Sequence, residues 1–140
     1  MPSQRKKYQT QWAAQFFAAA EICRRGHMVA LTLGNAPQTD LVAISPAGNK
    51  YRVEIKGLSE PNWWLISPHR QAEADLYFVL VHVPKDLTAP HFFILSSAEM
   101  VQEMAPVLAE IDAKGLSESG AGLRWKQGLP YENHWQTLPE

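Results

Sequence analysis

Residues 36–57 read APQTDLVAISPAGNKYRVEIKG, two short apolar runs joined by Ser45-Pro46-Ala47-Gly48-Asn49. That joining set is turn-forming, so 39–44 and 50–56 are expected to pair as a hairpin. Alternation along the second strand puts Tyr51, Val53 and Ile55 on one face and Arg52, Glu54 and Lys56 on the other. Glu54 and Lys56 are then same-face neighbours, roughly 6–7 Å apart along the strand. Pairing lets Asp40, at the start of the first strand, approach that face. Two carboxylates and an ammonium at one sheet end are enough to hold a hard cation and steer a water. A charged strand face also has a plainer meaning, the solvated side of an antiparallel sheet. Three features weigh against it. The turn-rich approach Asn35-Ala36-Pro37-Gln38-Thr39 aims the Asp40 carboxylate from a strand start. Gly57 leaves room for something to approach the backbone. A helix carrying an acidic residue, Glu21, precedes the hairpin.

Working outward, residues 8–25 are expected to be helical. Trp12, Phe16, Ala19, Ala20 and Cys23 recur at helical spacing as a core-facing stripe. Arg24, Arg25 and Gly26 suit the end of that helix. Residues 27–33 are a nearly continuous apolar strand, and 34–38 a loop. Downstream, 57–75 is the least legible stretch. PNWWLIS fits a short strand or a loop packing two tryptophans, and PHRQAEAD fits a short helix. Residues 76–83 read as a strand buried on both faces, and 91–95 as another. Ser96 followed by Glu99 is a capping-box pattern. It opens a helix to about residue 113, with Val101, Met104, Leu108 and Ile111 inward and Pro106 kinking or dividing it. Residues 114–124, rich in Gly and Ser, are expected to form a mobile loop. Trp125, Tyr131 and Trp135 are expected to anchor the tail on the body, with a platform for stacking nucleobases as the alternative.

With 140 residues, 46% hydrophobic and 19% charged, the chain has a globular composition and the size of one domain. A single cysteine, Cys23, excludes an internal disulfide and a cysteine-based zinc site. Its place on the apolar stripe suggests a buried thiol. MPSQRKKYQT is too polar for a signal peptide, and no apolar run reaches membrane-spanning length. The expectation is a soluble cytoplasmic protein with no membrane partner. A net charge of -1 argues against tight, purely electrostatic binding of nucleic acid. Local basic clusters remain at Arg5, Lys6 and Lys7, at Arg24 and Arg25, and at Lys50 and Arg52, each of which also reads as ordinary solvated surface. The five histidines show no HExxH or close pairing, and His82 reads as a core residue. Neither a phosphate-binding glycine loop nor a G-x-S-x-G elbow is present.

Residues 8 to 96, approximately, resemble the PD-(D/E)xK nuclease superfamily, with its restriction-endonuclease-like or Holliday-junction-resolvase-like fold. The matching residues are Glu21 in FFAAAEICRRGHMVA, Asp40 in PQTD, and Glu54 and Lys56 in VEIKG. They follow the order helix, strand, hairpin, helix and strand, with ADLYFVLVHV where the family places its next core strand. Thr39 rather than proline precedes Asp40, at a position that varies within the superfamily. The resemblance implies an α/β fold over residues 1–140, a central mixed sheet flanked by helices, with a C-terminal helix and aromatic tail from about 97. It implies a metal-dependent endonuclease hydrolysing phosphodiester bonds in DNA, with Mg²⁺ as cofactor and Mn²⁺ as substitute. By the same resemblance Asp40, Glu54 and the Ile55 carbonyl hold the metal, and Lys56 orients the attacking water. Glu21 is an accessory carboxylate by resemblance, or a plain exposed helix glutamate. Asn35, Lys50, Arg52 and Gln71 are candidate nucleic-acid contacts. Turn formation explains Asn35 equally well, and Gln71 reads more simply as a surface glutamine. Family members of this size often form homodimers. The alternative is a catalytically silent nucleic-acid-binding or protein-interaction module on the same fold, and beyond it an ordinary α/β adaptor that matches by accident. Retention of Asp40, Glu54 and Lys56 together favours activity.

Overall fold

The computed structural model describes residues 4–34 and 36–140. Helix α1 (Gln4–Arg24) leads into strand β1 (Met28–Leu31), followed by the hairpin of β2 (Leu41–Ile44) and β3 (Lys50–Leu58). A short strand β4 (Trp63–Leu65) precedes β5 (Leu76–His82) and β6 (His91–Ser96). Helix α2 (Ser97–Lys114), strand β7 (Gly122–Arg124) and the single turn α3 (Trp125–Gly128) follow, and two 3-10 turns, Leu129–Tyr131 and Trp135–Thr137, complete the order.

The expected hairpin forms, with Leu41 opposite Val53 and Ile44 opposite Lys50. It belongs to a five-stranded mixed sheet in the order β1-β2-β3-β5-β6. The first three strands are an antiparallel meander, β5 runs parallel to β3, and β6 is antiparallel to β5. β4 and β7 pair as a separate two-stranded ribbon. Alternation divides the core accordingly. Tyr51, Val53, Ile55, Val79, Val81, Phe92 and Ile94 pack beneath α1. Phe78, Leu80, Phe93 and Leu95 face the other way, against Trp64, Leu123, Met100 and Met104 of the ribbon and α2. β5 is therefore buried on both faces, as its unbroken apolar run requires. On β1 and β2 the face turned away from α1 stays open, since Met28, Val42 and Ile44 are exposed. β3 lies at the boundary between the open and covered halves of that face.

Three expectations need correction. The first is the buried side of α1. Ala14, Gln15, Ala18 and Ile22 face the sheet, whereas Cys23 and Ala20 are exposed. Trp12 is 37% exposed and Phe16 57%, and their rings stack on each other at 5.6 Å outside the core. Close approach is the cause. A Cβ on Gly57 would lie 2.8 Å from Ala14 Cβ and 2.9 Å from the Thr10 carbonyl oxygen. The helix rides so close to β3 that only small side chains fit between them.

The second correction concerns the crossover from β3 to β5. Parallel neighbours are usually joined through a helix, but residues 66–75 form none. Their polar groups are held by distant parts of the chain instead. The Glu73 amide donates to Ser97 Oγ, the Arg52 amide donates to the Asp75 carbonyl, and the Arg52 guanidinium binds both Glu73 and Asp75. The third concerns α2. Its capping box closes as expected, Ser96 Oγ accepting from the Glu99 amide and Glu99 Oε1 from the Ser96 amide. Pro106 sits within an undivided helix, however, and the buried residues are Ser97, Met100, Met104 and Ile111, with Val101 and Leu108 only half-buried. The stretch after α2 is partly ordered into β7, where Trp64 pairs with Leu123. The tail is anchored by its aromatics. Trp125 stacks on Trp64 at 5.6 Å, Trp135 packs on Phe92, and the Tyr131 hydroxyl donates to Glu103. Among the described residues no helix is long and apolar enough to cross a membrane.

Gly57→Ala tests the close approach. The added methyl is expected to push α1 off β3 and to cost about 1–3 kcal/mol, as overpacking does. Urea denaturation reads this directly, and an unchanged midpoint would contradict the packing described.

Candidate active site

β3 outlasts its partner. The β2–β3 register ends at Leu41 opposite Val53, yet β3 continues to Leu58. Beyond Val53 two side chains take over the outer edge. The Ile55 amide donates to Asp40 Oδ2 at 2.7 Å. Gln11 Nε2 donates to the Ile55 carbonyl at 2.7 Å, and the Gly57 amide donates to Gln11 Oε1 at 2.9 Å. A buried backbone group left without a partner costs about 1–3 kcal/mol, so Asp40 and Gln11 have a structural role whatever else they do.

Asp40 is half-buried and forms no ion pair among the described residues. Its other oxygen accepts from Gln15 Nε2, at 3.5 Å. Burial pushes the Asp40 pKa up; the Ile55 hydrogen bond opposes this, the Glu54 charge adds to it and the Lys56 charge opposes it. Continuing the register by one residue sets Asp40 across from Glu54.

Glu54 is only 3% exposed. Its two oxygens accept from the two arms of the Arg70 guanidinium, at 2.9 and 3.2 Å. That guanidinium lies 5.3 Å over the ring of Phe78. Lys56 Nζ stands 3.6 Å from Glu54 Oε2, on a side chain 38% exposed. Glu54 and Lys56 thus lie together on β3, and Asp40, just before β2, is within the electrostatic reach of both.

The structure does not bring Glu21 there. That carboxylate pairs with Arg24 at 3.0 Å and Arg25 at 3.2 Å on its own helix. It sits six residues past Gln15, about 9 Å further along the axis. Arg52 is occupied by Asp75 and Glu73, whose hydrogen bonds hold its pKa above the ordinary arginine value. Lys50 is exposed opposite Ile44. Gln71 is exposed on the irregular crossover, because the helix expected to present it does not form. Asn35 lies outside the described residues. Three residues in the site had not been singled out for it, Gln11, Gln15 and Arg70. The two glutamines lie four apart beside Ala14 and Ala18, so amides on the small-residue stripe were a readable signal. Arg70 had none, since it stands in a stretch without periodicity.

The donor chemistry suits a hard divalent cation. Asp40 and Glu54 supply carboxylate oxygens, and Mg²⁺ needs only one or two because it keeps several waters. Both Glu54 oxygens are engaged by Arg70, and the expected third ligand, the Ile55 carbonyl, accepts from Gln11. Among the described residues no group of three or more His, Cys, Asp or Glu side chains converges to hold a metal.

The raised Asp40 pKa sets a pH dependence. Protonation of Asp40 is favoured more in the folded than in the unfolded chain, so its contribution to stability is full below the ordinary aspartate pKa. It is lost as pH rises through the folded value. Asp40→Asn keeps an acceptor for the Ile55 amide and removes the charge. Its stability relative to wild type is expected to rise as pH goes from about 4 to 7. Denaturation across that range checks the sign, and a relative stability that falls with pH would contradict it.

Compared with protein-family models, curated proteins and solved structures, the chain matches none, and the reading of the site rests on its own residues.

Proposed function

We propose that this chain is a metal-dependent endonuclease of the PD-(D/E)xK type, hydrolysing phosphodiester bonds in DNA. The observation that carries this reading is the nearness of three groups: an Asp40 carboxylate with no ion pair among the described residues, a buried Glu54, and a Lys56 ammonium 3.6 Å from Glu54. An antiparallel meander followed by a strand parallel to β3 supports a restriction-endonuclease-like core. The crossover departs from that pattern in lacking a helix. Asp40 and Glu54 would hold Mg²⁺ or Mn²⁺, with the Ile55 carbonyl added by resemblance. When bound, the ion supplies a polarised phosphoryl oxygen and a water of lowered pKa. Lys56 orients the attacking water and offsets negative charge growing on the phosphate. Burial and the Glu54 charge both oppose ionisation of Asp40, and a bound cation would offset them.

One observation favours a second reading. The Arg70 fork engages both Glu54 oxygens. In a catalytically silent nucleic-acid-binding module, Arg70 would fill the place of the cation permanently.

Cleavage of supercoiled plasmid and of branched DNA in Mg²⁺ or Mn²⁺ separates the two. Wild type is expected to cut, Asp40→Ala to be inactive, and Lys56→Ala to be slower by about 10²-fold or more. A well-folded wild type that cuts no substrate would favour the silent module. An Asp40→Ala variant that cuts at the wild-type rate would overturn the site.

A further inference from the structure

We infer that Arg70 is the resident counter-cation of Glu54, and that a divalent ion enters the site only by displacing it. The inference rests on the proposed cation site. A carboxylate as buried as Glu54 needs a compensating charge. Among the described residues two cations pair with it. Lys56 stands at 3.6 Å on a side chain 38% exposed, whereas Arg70 makes two hydrogen bonds, at 2.9 and 3.2 Å, and is 13% exposed. Arg70 is thus the principal partner, and its planar fork matches the carboxylate. A divalent ion on the same oxygens would meet the full repulsion of that guanidinium at close range.

The setting of Arg70 allows release without unfolding. It stands in the irregular crossover, whose ties lie on either side of it. Ser67 Oγ donates to Glu118 Oε2 at 3.2 Å, and the His69 ring bonds the same carboxylate. Past Arg70, the Glu73 amide is held by Ser97 and the Asp75 carbonyl by the Arg52 amide. The backbone is fixed at its flanks, and the long Arg70 side chain reaches Glu54 by its own rotatable bonds. Rotation of that side chain frees both Glu54 oxygens while the strands stay paired. Arg70 then sets how tightly the site takes a cation, and it keeps the buried carboxylate compensated when none is bound.

Calorimetric titration of Mn²⁺ into wild type, Arg70→Gln, Arg70→Lys and Asp40→Asn tests this. Removing the Arg70 charge is expected to tighten binding by about tenfold or more. Arg70→Lys keeps the charge and is expected to stay within a few-fold of wild type. Arg70→Gln affinity equal to or weaker than wild type would overturn the inference while leaving the cation site standing. Binding that is absent from folded wild type, or that persists unchanged in Asp40→Asn, would overturn the cation site and the inference together. A second readout needs no variant. The Nε–H resonance of Arg70 in wild type is expected to shift as Mg²⁺ saturates the protein. A resonance that stays fixed through saturation would overturn displacement even if Arg70→Gln failed to fold.

Discussion

The unfinished edge of β3 is the constraint on which the rest depends. Beyond Val53 its amides and carbonyl have no strand beside them, and the Asp40 carboxylate and Gln11 amide hold them instead. Each substitute dictates something larger. Gln11 reaches the edge only if α1 lies directly on β3, which requires Gly57 to lack a Cβ and Ala14 to be small. Asp40 reaches it only if β2 begins where it does, with Leu41 opposite Val53. The same turn of chain that satisfies the Ile55 amide leaves the second Asp40 oxygen toward Gln15, within the electrostatic reach of Glu54 and Lys56. The candidate site thus follows from how the sheet solves its own hydrogen bonding.

Electrostatics on the other side of β3 completes the arrangement. The face bearing Glu54 is covered over β5 and β6 by α2 and the β4–β7 ribbon, and open over β1 and β2. Glu54 is buried at the boundary and draws in Arg70, because an uncompensated carboxylate at that depth is costly. Asp40, among the described residues, gains amide hydrogen bonds and no ion pair. The two carboxylates therefore differ in kind, one neutralised by a permanent residue of the chain and one left at a disadvantage. In the proposed function, that asymmetry is what would make the pair receptive to a cation and Arg70 its competitor.

Local patterns were readable and distant contacts were not. Alternation gave the hairpin faces, and with them the nearness of Asp40, Glu54 and Lys56. The unbroken run from Leu76 showed a strand buried twice, and Ser96 with Glu99 marked the start of α2 to the residue. The buried side of α1 was misread because two stripes share helical spacing. Trp12, Phe16 and Cys23 offered the larger apolar area, but Ala14, Ala18 and Ile22 won because Gly57 admits only small neighbours. That requirement arises from residues more than forty positions away in sequence. Glu21 carried its own warning, since arginines three and four residues later on a helix are its natural partners. Arg70 was invisible for a different reason. The crossover owes its shape to Arg52, Ser97 and Glu118, and no local period records such ties.

A crystal of the wild-type protein equilibrated with Mn²⁺, with anomalous differences collected at the manganese edge, bears most directly on the central claim. One anomalous peak is expected between the Asp40 and Glu54 carboxylates, with the Arg70 guanidinium turned away from Glu54. A map at saturating Mn²⁺ that shows no peak there, and the Arg70 fork still closed on Glu54, would contradict it.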